Sequence, residues 1–102
     1  MEKTQVVILP DQLKIVLKDL EQLEAAAIDV MKLIREPKFS PDLFGQFADI
    51  VLRIQVRIRE FRSELSKSSP DFDQLIFQEF VEYATPALRH CYEIAYDQVK
   101  ND

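Results

Sequence analysis

A chain of 102 residues, 47% hydrophobic and with seven Phe and three Tyr, has the length and apolar content of one domain with one core. One Gly and five Pro leave little tight-turn material, which disfavours an all-β fold with a turn about every 8–12 residues. A formal charge of −5 repels nucleic-acid phosphates unless the cations cluster, and the single Cys91 forms no intrachain disulfide and has no metal-ligand spacing.

Residues 1–10 match no helix face. "KTQVVIL" (3–9) is rich in β-branched residues and is expected to be an extended N-terminal arm, lying across the bundle or pairing with a second chain. Its apolar run "VVIL" is too short for a secretory core and is closed by Pro10. No stretch approaches the ~20 apolar residues of a membrane span. The expectation is a soluble, cytoplasmic protein with no membrane partner.

The first helix is predicted over 11–35. "LPDQL" (9–13) supplies Asp11 as a cap, and Pro37 pushes Glu36 out of helical conformation. Leu13, Val16, Leu20, Leu23, Ala27, Val30 and Ile34 advance in alternate steps of three and four, the spacing of a packing seam. Leu17, Ile28 and Met31 are expected to widen that seam.

The second helix is predicted over 41–66, opened by "SPDLF" from Ser40. It contains "RIQVRIREFR" (53–62), whose alternation of Arg and β-branched residues also suits a basic strand. The alternation covers only 54–59 and has no turn signals beside it. A helical seam of Phe44, Phe47, Val51, Ile54, Ile58, Phe61 and Leu65 spans the whole segment, so helix is the better reading.

The third helix is predicted over 71–99, after "SPDFD" from Ser69. Pro86 allows a fresh start at "TPAL" or a bend within one helix. The stripe Phe77, Val81, Ala84, Leu88, Cys91, Ala95, Val99 passes Pro86 without a phase jump, which favours one bent helix. Short connections make successive helices antiparallel neighbours. The predicted fold is all-α: an antiparallel up-down-up bundle of three long helices, the third kinked or split at Pro86.

On a helical wheel Arg53 and Arg57 flank one side of the second seam, and Arg59 and Arg62 the other. They form no single basic face, so nucleic-acid binding is not expected. Their expected partners are acids on neighbouring helices, including Glu79, Glu82 and Glu93. Two leftover surfaces are candidate interfaces. Ala48, Leu52 and Val56 lie on the back of the second helix, in line with Gly45 and Ser63. Tyr83, Tyr92 and Tyr96 lie on the last helix, where Phe72, Leu75 and Phe80 also exceed one narrow stripe.

No catalytic, cofactor-binding or metal-binding residue is expected. His90, the only histidine, has Ala87 three positions before it, so the Glu-x-x-His of a di-iron bundle is missing. Cys91 is adjacent to His90, and neighbours on a helix point about 100° apart, poor geometry for a dyad. One Gly makes no phosphate loop. The expected function is a non-enzymatic interaction or regulatory bundle, acting as a homodimer or docking on a protein partner. The alternative is an acidic inhibitor, immunity or antitoxin-type protein that neutralises a basic partner.

Overall fold

The computed structural model describes residues 10–67 and 72–100. Among these, three α-helices form: α1 (Pro10–Ile34), α2 (Pro41–Leu65) and α3 (Gln74–Lys100). They pack as an all-α three-helix bundle, running up, down and up. Side-chain bonds mark the two ends. The Gln74 amide donates to Gln12 Oε1 at 2.9 Å, joining the starts of α1 and α3. The Ser40 N–H donates to Gln98 Oε1 at 2.9 Å, joining the start of α2 to the end of α3. The residues 53–62 are helical, with Ile54, Ile58 and Phe61 buried. Burying them outweighs the modest helix cost of β-branching.

The helix starts follow from proline and capping chemistry. Pro10 and Pro41 open α1 and α2, where a missing N–H removes nothing from the helix. Asp11 was expected as the first cap; it lies inside the first turn instead, where its charge still favours the helix N-terminus. Pro10 thereby belongs to α1, and the rest of the expected arm, residues 1–9, lies outside the described residues. The expected start of the third helix at 71 is corrected to Gln74, with Asp73 as the cap. Asp73 Oδ1 accepts the N–H groups of Leu75 and Ile76 at 2.9 and 3.2 Å. Phe72, immediately before the cap, packs on Phe77 with ring centroids 5.5 Å apart, a hydrophobic staple. That contact and the cap place the start later than the Ser-Pro-Asp pattern suggests.

α1 is the middle of the bundle. It packs along both α2 and α3, which touch each other over a shorter stretch. Leu20, Ala27 and Val30 of α1 are fully buried, as are Val51 of α2 and Ala84 and Ala95 of α3. Small residues at Ala27, Ala84 and Ala95 let the backbones approach. Two ends close the core. At one, Phe61 meets Phe72, Phe77 and Phe80 with centroids 5.9, 5.1 and 5.3 Å away. At the other, Phe39 folds in from the α1–α2 loop onto Phe47, 5.4 Å between centroids.

The seams are narrower than expected. Leu17 and Ile28 do not widen the α1 seam; they are exposed, while Met31 is half-buried. Phe44, expected in the α2 seam, is also exposed. It lies near the bundle end that Phe39 and Phe47 already fill. On α3, Phe80 is buried and Val81 only partly so, because Phe80 turns into the Phe61 cluster.

Pro86 neither ends nor splits α3, which runs unbroken from Gln74 to Lys100. Pro86 and Glu82 are both exposed, so the Glu82 carbonyl that loses its helical partner lies on the water side.

Three substitutions test this packing. Asp73→Ala removes the cap and should lower stability by about 0.5–2 kcal/mol in urea unfolding. Phe72→Ala should lower it by about 3–5 kcal/mol, because it empties a buried aromatic site. Pro86→Ala should stabilise the fold by about 1–3 kcal/mol, read as a higher melting temperature, since it restores the missing hydrogen bond.

Candidate functional site: the exposed helix faces

The charged side chains of α2 pair mostly within their own helix. Arg53 Nε lies 3.0 Å from Asp49 Oδ2, and Arg57 Nη1 lies 2.8 Å from Glu60 Oε2. The Arg57 guanidinium also stands 4.8 Å over the Phe61 ring. Arg62 crosses to α1, its Nε 3.3 Å from Glu24 Oε2, an ion pair without aligned hydrogen-bond geometry. The expected pairing with Glu79, Glu82 and Glu93 does not form among the described residues. A partner three or four residues away on the same helix is already within reach, so Arg53 and Arg57 take Asp49 and Glu60 although Glu79 lines the same α2–α3 groove. These pairs are solvent-exposed, and each contributes roughly 0–1 kcal/mol.

The Arg62–Glu24 pair fixes which edge of α2 faces α1. Helical spacing places Ala48 next to Arg62 at that edge, Leu52 farther out, and Val56 on the back of α2, opposite its buried seam. Leu52 and Val56 are 52% and 49% exposed, while Ala48 is half-buried against the core rather than fully outward. Glu24 likewise marks the α2 side of α1, and Leu17 and Ile28 fall beside it, at 40% and 43% exposed. Ile28 and Leu17 of α1 and Leu52 of α2 thus lie on the same outward side of the α1–α2 pair, with Val56 farther round on the back of α2. Leu17 and Ile28 were assigned to the core from sequence, so the α1 half of this face was missed. Their place at the edge of the α1 wheel was the available signal.

The three tyrosines divide. Tyr92 and Tyr96 stack on each other, centroids 5.8 Å apart, on the α1 side of α3. Tyr92 lines a groove of about 270 Å³ between α1 and α3, floored by Leu23, Ala26, Val81 and Leu88 and edged by Asp19, Asp29 and Arg89. Tyr83 lies on the opposite flank of α3, with Ile76, Phe80, Arg53 and Arg57 in the shallower α2–α3 groove. The six candidate interface residues thus fall on three surfaces.

His90 is exposed and Cys91 is buried, on different sides of α3. Burial raises the Cys91 thiol above its ordinary value, because a thiolate there would lose hydration. Among the described residues no group of three or more His, Cys, Asp or Glu could hold a metal ion. No helix among them is long and apolar enough to cross a membrane.

The fold is a three-helix bundle with a surplus of apolar side chains on all three helices. Compared with protein-family models, curated proteins and solved structures, the chain matches none.

Cys91 gives a direct check on the packing. Its folded state favours the protonated thiol, so that contribution to stability is complete below the ordinary thiol range. It fades as pH rises from there through the raised folded value. At pH 8 the native thiol should react with an aromatic disulfide reagent only as fast as the bundle opens, and at once in denaturant. Reaction at the speed of a surface thiol would contradict the burial.

Proposed function

We propose that this chain is a non-enzymatic interaction module, a helical bundle that works through its helix faces as a homodimer or by docking on a partner protein. One observation carries the reading. Large apolar side chains stay exposed on every helix: Leu17 and Ile28 on α1, Leu52 and Val56 on α2, and the stacked Tyr92 and Tyr96 beside a groove on α3. Contiguous exposed apolar surface marks interaction sites in soluble proteins. Tyrosine at a rim suits such contacts, because the ring buries while the hydroxyl stays hydrated. A free, buried Cys91 is compatible with a reducing compartment such as the cytoplasm.

A second reading has its own support. Glu79, Glu82 and Glu93 stand exposed on α3 without an ion pair among the described residues. That acidic side suits an inhibitor or antitoxin that neutralises a basic protein, with charge speeding the encounter.

Sedimentation velocity over a wide concentration range, with capture from native extract, tests both. The interaction module should self-associate, or hold a partner that is lost on Leu52→Glu/Val56→Glu or Tyr92→Ser/Tyr96→Ser, with little dependence on salt. A captured basic protein released steeply by salt would support the inhibitor. A monomer at every concentration with no face-dependent capture would overturn the proposed module.

A further inference from the structure

Building on that reading, we infer that the two-helix face formed by α1 and α2 takes a second copy of this chain, packed α2 against α2 about a twofold axis. Three observations converge on this face and on that occupant.

The first is the only glycine. Gly45 sits inside α2 with ordinary helical geometry, and a Cβ built there meets nothing within 4 Å. Glycine within a helix is less stable than alanine by about 0.8–1 kcal/mol. Neither a turn nor a close internal contact in the bundle calls for it. It stands on the outward line with Leu52 and Val56, where its missing side chain lets another helix backbone come close.

The second is charge. The chain carries −5, so two copies repel unless they meet where charge is balanced. α2 holds Asp42, Asp49, Glu60 and Glu64 against Arg53, Arg57, Arg59 and Arg62, and is neutral. α3 holds four acids (Glu79, Glu82, Glu93, Asp97) against Arg89 and Lys100. The outward side of α1 and α2 therefore mixes both signs, with Glu21 and Lys32 on α1 and Arg59 on α2. A twofold contact sets a patch against itself, and only a patch of mixed sign is its own complement. A strongly basic or acidic partner finds no match here.

The third is extent. A stable pair buries about 800 Å² on each partner. One line of side chains on one helix is too narrow for that. Ile28 and Leu17 of α1, both exposed, extend the apolar surface of α2 onto a second helix.

Sedimentation and spin-label distances test the assignment. Wild type should form a dimer, and Leu52→Glu/Val56→Glu should weaken it at least about tenfold while circular dichroism and cooperative unfolding stay native. Tyr92→Ser/Tyr96→Ser should leave the dimer unchanged. Gly45 separates fold from interface: Gly45→Leu should raise the melting temperature of dilute monomer yet weaken the dimer. A nitroxide on Val56→Cys should report a short distance between copies. A dimer that survives Leu52→Glu/Val56→Glu, or is lost with the tyrosine pair, overturns this face and leaves the interaction module standing. A monomer at every concentration overturns self-pairing altogether, and the module then depends on face-dependent capture of another protein.

Discussion

Everything in this bundle depends on α1 burying one narrow seam against two helices at once. Leu20, Ala27 and Val30 have no exposure, and they lie along one stripe of α1. Both neighbours contribute small residues or flat aliphatic surface to that stripe. α2 and α3 are held chiefly by their common contact with α1 and meet each other less. The Phe61 cluster at one end and Phe39 on Phe47 at the other prevent water from entering along the axis. Polar side chains then fix the alignment, through Gln12 with Gln74 and Gln98 with the Ser40 backbone.

A seam that narrow leaves apolar side chains outside it. Ile28 and Leu17 fall just past the edge of the α1 seam, and Leu52 and Val56 fall past the edge of α2. A larger domain would cover them with another layer. Here the described residues hold three helices, and the surplus stays at the surface. A groove also stays open between α1 and α3, with Tyr92 along it. The proposed interaction surfaces are thus a by-product of core width.

Much of this was legible in the residues. Proline positions and the alternate three-and-four spacing located all three helices, and the unbroken stripe through Pro86 identified α3 as one element. The start of α3 was not read correctly, because Ser-Pro-Asp resembles a helix opening. The staple between Phe72 and Phe77 depends on a three-dimensional contact. The assignments of Leu17, Ile28 and Phe44 to the core failed for another reason. Periodicity gives the direction of a buried stripe, but its width depends on how many neighbours surround the helix. Likewise, the arginines were matched to acids on other helices by charge alone. The nearer acids on α2 itself, Asp49 and Glu60, take two of them.

The central place of α1 has a consequence for how the polypeptide is made. Its partner α3 follows it only after the whole of α2. While the ribosome adds these residues, at about 5–20 each second, the side of α1 that will meet α3 has only α2 and solvent beside it. The nascent chain must pass through this half-clad stage before Lys100 emerges and the last helix can close over Ala27.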